Sequence, residues 1–94
     1  MLERDIEKKV CDYAKRNGWM VRKFSSPSHR SVPDRIMIKN GEVIFIEFKA
    51  TGKKPTKLQA REHNLLREHT ANIYVVDDVQ QGKTILAAWE EVFR

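Results

Sequence analysis

Apolar residues recur at helical spacing through Leu2, Ile6, Val10, Tyr13 and Ala14, and the pattern ends at Asn17-Gly18, a dipeptide that stops helices. A first helix is predicted over 2–15. The period then shortens. Trp19 to Phe24 reads as a strand, and a polar, serine-rich loop, 25–31, leads to Pro33-Asp34. Arg35–Lys39 and Glu42–Glu47 flank Asn40-Gly41, the strongest two-residue hairpin signal a sequence offers. After the basic turn 51–55, Thr56 is a good N-cap, with Gln59 three residues on as its capping-box partner. That helix runs through Leu58, Leu65 and Leu66 to about His69. A further strand over 72–77, rich in Ile73, Tyr74, Val75 and Val76, suits a buried place in a sheet covered on both faces. Gln80-Gln81-Gly82-Lys83 reads as a loop, followed by a short helix over 85–93 with Leu86, Trp89, Val92 and Phe93 as its apolar stripe. The predicted order is α-β-β-β-α-β-α, an α/β chain without internal repeats.

The hairpin register carries the chemistry. A two-residue loop sets Lys39 against Glu42, so Ile38 faces Val43, Ile36 faces Phe45, and Asp34 lies opposite Glu47. Opposed side chains on one face have Cβ atoms roughly 4.5–5.5 Å apart, where like charges repel unless a cation sits between them. Alternation places Ile36, Ile38, Val43 and Phe45 on the acids' face, and Lys49 joins them two residues past Glu47. Clustered carboxylates beside backbone carbonyls are the hard oxygen ligands that Mg²⁺ or Mn²⁺ prefers. The plainer alternative is a surface acid pair bridged by Lys49.

Composition narrows the partners. Ninety-four residues predict one domain over 1–94, with a core small enough that self-association would help. A net charge of +5 and a pI near 9.6 point to a polyanion, nucleic acid first. Cys11 stands alone, so no intramolecular disulfide forms, and His29, His63 and His69 show no metal-ligand spacing with it. Neither a leader pattern nor a membrane-length apolar run is evident, which predicts a cytoplasmic protein.

Two acids on the first helix need a role. Glu3 falls inside the apolar stripe and Glu7 at its edge. Each is either solvated near the helix N-terminus or faces the acid pair from a third direction, with Glu3 the better candidate. The hydroxyls of the serine-rich loop, His29 and Arg30 could touch phosphates, or the loop is simply a connector.

Glu3 in the N-terminal helix, Pro33-Asp34, Glu47-Phe48-Lys49 and a helical Gln59 together resemble the PD-(D/E)XK nuclease superfamily. Within it, the chain is most similar to the virus-type replication-repair nuclease (VRR-NUC) domain. The likeness runs from about Leu2 to Asp78 and includes the element order. Two loop positions depart from the pattern: Ser31 stands where many members have glycine, and Thr70-Ala71 lack the glycine often seen after the second helix.

The resemblance implies a restriction-endonuclease-like core, a central mixed sheet flanked by helices, and metal-dependent phosphodiester hydrolysis by homodimers acting on branched DNA such as four-way junctions or flaps. Asp34, Glu47 and the Phe48 carbonyl would hold one Mg²⁺ or Mn²⁺, with Glu3 completing the shell or binding a second ion. Such an ion polarises a phosphoryl oxygen and activates water. Lys49 would orient the water and stabilise charge at the phosphate. Gln59 would help position Lys49 or the phosphate, or would serve only its capping box. Arg22, Lys23, Arg30, Arg35, Lys53, Lys54, Lys57 and Arg61 are candidate contacts to the DNA backbone. The host would be a bacterium or phage-infected cell. A rival from another class is a catalytically inactive module that binds branched DNA, and a sequence-specific restriction enzyme is disfavoured by the short chain left for base-reading loops.

Overall fold

In the computed structural model, which describes residues 1–69 and 71–91, the predicted element order holds. Helix α1 spans Glu3–Arg16, strand β1 Met20–Lys23, β2 Arg35–Lys39, β3 Glu42–Phe48, α2 Lys57–Glu68, β4 Asn72–Val76 and α3 Val79–Glu91. The strands form one mixed sheet in the order β1-β2-β3-β4, with β4 parallel to β3 and the other pairs antiparallel.

Local chemistry accounts for the boundaries. Helix α1 closes with a two-bond cap in which Trp19 N–H donates to the Ala14 carbonyl (3.0 Å) and Gly18 N–H to that of Lys15 (3.1 Å). Gly18 adopts φ +86°, the left-handed turn that a Cβ disfavours. At the hairpin, Asn40 and Gly41 take φ of 50° and 84°, as a tight turn with two left-handed centres needs. The register follows as predicted, from Lys39 opposite Glu42 to Ile36 opposite Phe45 and Arg35 opposite Ile46.

Alternation along these strands sends the two faces of the sheet to different fates. Val21, Met37, Ile44, Ile46 and Phe48 are buried with Ile6, Val10 and Ala14 of α1 and Leu86 of α3, forming the apolar core. The acids' face, with Ile36, Ile38, Val43 and Phe45, is only half-buried. Helix α2 lies on this face, where it meets β4 and reaches the end of β3.

Two expectations need correction. Strand β4 pairs only with β3, so it forms an edge of the sheet, although Ile73 and Val76 on its opposite faces are both buried. The residues read as a loop, Gln80 to Lys83, are helical, and α3 begins at Val79. Asp78 caps it through Oδ2, which accepts from Gln81 N–H at 2.9 Å, a D-x-x-Q start signal. Gly82 is instead a close-packing residue, since an added Cβ would lie 2.7 and 2.9 Å from the two methyls of Val10. The stripe predicted for the last helix packs inward where it is described: Leu86 is buried, and the Trp89 indole donates to Tyr74 Oη at 2.8 Å. Val92 and Phe93 lie outside the described residues. Among the described residues the exposed leucines are Leu58 and Leu65 of α2, at 68% and 47%, and Leu2 ahead of α1, at 56%.

Candidate active site

Asp34 is fixed twice. Its carbonyl accepts from Phe24 N–H (2.9 Å), and its Oδ2 accepts from Phe48 N–H (2.8 Å) across the hairpin. These bonds hold it at the end of β3, where register arithmetic sets it against Glu47. Glu47 is 2% exposed, and Lys49 extends from the next same-face position with Nζ 3.8 Å from Glu47 Oε2. Lys49 N–H donates to the Val76 carbonyl (2.9 Å), carrying the parallel pairing one residue past the strand and fixing the lysine backbone.

Gln59 fills both roles that the sequence left open. The Thr56 hydroxyl accepts from Gln59 N–H (3.1 Å), while Gln59 Oε1 accepts from Thr56 N–H (2.9 Å), completing the capping box. Because the cap occupies the amide oxygen, the amide nitrogen is left to donate elsewhere, and Gln59 Nε2 donates to Glu47 Oε2 at 3.2 Å. The helix start is thereby the bracket that aims Gln59 into the site.

His63, one turn along α2, was missed by sequence reasoning. It is 1% exposed and its Nε2 stands 3.6 Å from Glu47 Oε1. Its spacing of four from Gln59 was the available signal, since residues so spaced share a helix face.

These surroundings shift the ionisation of the site. Burial first, then the Asp34 charge, push Glu47 up to about 8, against the pull of Lys49; hydrogen bonding with Asp34 and the Glu3 charge add to the rise. His63 moves down, chiefly through burial and then the nearby Arg67 and Lys49 charges. The site is therefore a crowded pair of carboxylates whose charge Lys49 offsets only in part. That deficit, together with a buried Glu47 oxygen that has no hydrogen-bond partner, fits a divalent cation. Among the described residues no group of three or more histidine, cysteine, aspartate or glutamate side chains forms a ready metal cage. Two carboxylates suit Mg²⁺, which keeps several waters and uses few protein ligands. Glu3 is exposed in the first turn of α1, whereas the Glu7 carboxylate is engaged by Arg35 Nε at 2.6 Å.

Arg22, Lys23, Arg30, Lys53, Lys54, Lys57 and Arg61 are all exposed. Arg35 differs: it projects to the α1 side of the sheet and is tied to Glu7 there. The serine-rich loop and α2 border an open concavity of about 320 Å³ lined by His29, Arg30, Ser31, Leu58, Arg61, Glu62 and Leu65. Cys11 is buried and its thiol is pushed up to about 11, chiefly by burial, which keeps it protonated. No described helix is long and apolar enough to cross a membrane.

Comparison with known proteins bears on the family and the fold. The sequence model of the archaeal Holliday junction resolvase family (Hjc) matches residues 3–88. Protein p44 of Acyrthosiphon pisum secondary endosymbiont phage 1, named as a candidate nuclease, is 41% identical over 87 residues, covering 92% of each chain. A solved VRR_NUC domain superposes with a TM-score of 0.83 at 29% identity, covering 90% of this chain and 94% of the other. The fold is that of the VRR-NUC and restriction-endonuclease-like proteins.

Proposed function

This chain belongs to the archaeal Holliday junction resolvase (Hjc) family, and on that premise we propose that it is a metal-dependent endodeoxyribonuclease selective for branched DNA. The observation that carries the reading is the convergence of Asp34, Glu47 and Lys49 at one end of β3. A structural acid pair has no need of a buried glutamate raised to about 8 beside a second carboxylate.

Asp34, Glu47 and the Phe48 carbonyl would hold the ion, with Glu3 of the first turn of α1, whose charge acts on Glu47, as the candidate for a further oxygen. Bound Mg²⁺ or Mn²⁺ supplies Lewis-acid polarisation of the scissile phosphate and charge neutralisation. The other steps belong to the protein. Lys49 Nζ donates to the attacking water and to the phosphoryl oxygens, holding the nucleophile in line and stabilising the charge that develops. Gln59 keeps Glu47 in place through Oε2. Arg22, Lys23, Arg30, Lys53, Lys54, Lys57 and Arg61 would carry the phosphate backbone, giving salt-dependent affinity with little base readout. Selectivity then comes from shape.

A chain of this size that exposes Leu58 and Leu65 suits a homodimer, which also places two sites against the two strands of a junction. Sedimentation at working concentration should show twice the 11.0 kDa chain mass, and a monomer alone would remove this part of the proposal.

Cleavage of end-labelled four-way junction, flap and plain duplex, with Mg²⁺, Mn²⁺ or EDTA, tests the function. Metal-dependent cutting of the branched substrates in preference to duplex is expected. Intact junction binding in EDTA with no cutting in either metal would point to a binding module instead.

A further inference from the structure

Glu47 and His63 each bury an unmatched polar atom, and the two atoms face one another. Glu47 Oε1 and His63 Nε2 are the buried side-chain atoms without a hydrogen-bond partner among the described residues, and they are 3.6 Å apart. Leaving either unpaired in a water-excluded place is costly, and an apolar side chain would fill the His63 position without that cost. The other carboxylate oxygen already has its donor in Gln59. Gln59 and His63, four residues apart on α2, thus approach the two oxygens of one carboxylate.

We propose that His63 is a positioning residue for Glu47, its Nε2–H donating to Oε1 so that α2 grips the carboxylate at both oxygens and presents their remaining lone pairs to the divalent ion. The proposal rests on the metal-dependent reading above. Each carboxylate oxygen has two acceptor sites, so one can take the α2 donor while the other serves the ion. A shift of a few tenths of an ångström closes the 3.6 Å gap to hydrogen-bond range. Rotation of Glu47 is then blocked from both sides. Outer partners of this kind typically change metal affinity by roughly 10–100-fold when removed.

The test is Mn²⁺ binding to DNA-free protein, read by electron paramagnetic resonance at one fixed pH, for wild type, His63→Leu, His63→Gln and His63→Asn. Glutamine can set its Nε2 where the imidazole Nε2 lies, whereas the asparagine amide falls short. Expected are roughly 10–100-fold weaker binding by His63→Leu, recovery to within a few-fold by His63→Gln, and no recovery by His63→Asn. Binding by His63→Leu equal to wild type would overturn the proposal, as would a glutamine variant no better than asparagine. That amide pair decides the matter even if the leucine variant does not fold. Absence of Mn²⁺ binding by wild type would instead overturn the metal-dependent reading, and the proposal with it.

Discussion

On the side of the sheet covered by α1 and α3, Met37, Ile44, Ile46 and Phe48 are wholly buried among aliphatic neighbours. On the side touched by α2, the intervening residues Ile36, Ile38, Val43 and Phe45 stay half-open, and the row ends in Glu47 and Lys49. Ile46 and Glu47 are adjacent in sequence and similarly buried, yet they differ in every other respect. Ile46 needs only volume and contact, which are non-directional. Glu47 needs particular donors at particular atoms, and α2 supplies one through Gln59 and brings His63 Nε2 to within 3.6 Å of the other oxygen. One face therefore carries stability, while the other spends some of it to hold a carboxylate in a place that disfavours its charge.

Breaking the closed face should have the largest effect. Ile44→Ala removes a wholly buried side chain between two layers, and we expect a loss of about 2–5 kcal/mol in chemical denaturation. Lys49→Ala attacks the open face. Cleavage should fall roughly 10²–10³-fold with little change in melting temperature, because removing one charge-stabilising donor costs about that much. A lysine variant that loses fold and activity together would erase the distinction between the faces. Smaller still is Gly82→Ala, which pits a gain in helix propensity of about 1 kcal/mol against overpacking of about 1–3 kcal/mol. With both methyls of buried Val10 inside 3 Å of the new Cβ, we expect net destabilisation in thermal melts and unchanged metal-dependent cutting.

How much of this could be read from the chain follows the same division. Local rules sufficed for the hairpin, since Asn40-Gly41 permits one register and that register sets Asp34 against Glu47. They sufficed for Gln59 in part, because the capping box was legible while the second bond, to Glu47, depends on how α2 docks. His63 was legible only as a residue on the same helix face as Gln59; that α2 lies against the end of β3 is not indicated by any spacing in the chain. Gly82 misled because a glycine that starts a loop and one that admits a neighbouring helix look alike until the neighbour, Val10, is known. Arg35 was grouped with the surface cations although its strand parity sends it to the α1 side, where Glu7 takes it. The parity was readable; the partner was not.

The central claim is that Glu47 is kept for catalysis at the expense of the metal-free fold. Its folded-state value, raised to about 8 from an ordinary 4.5, means the folded protein binds a proton there that the unfolded chain has released. The stabilising contribution of that proton is complete below pH 4.5 and is lost as pH rises through 8. The decisive measurement is the metal-free melting temperature of wild type and Glu47→Gln from pH 5 to 9, paired with cleavage in Mg²⁺. The account predicts a wild-type stability that falls with rising pH relative to the variant, a variant more stable at the alkaline end by about 1–3 kcal/mol, and no cutting by the variant. A variant that is less stable across the range, or that still cuts branched DNA, would contradict it.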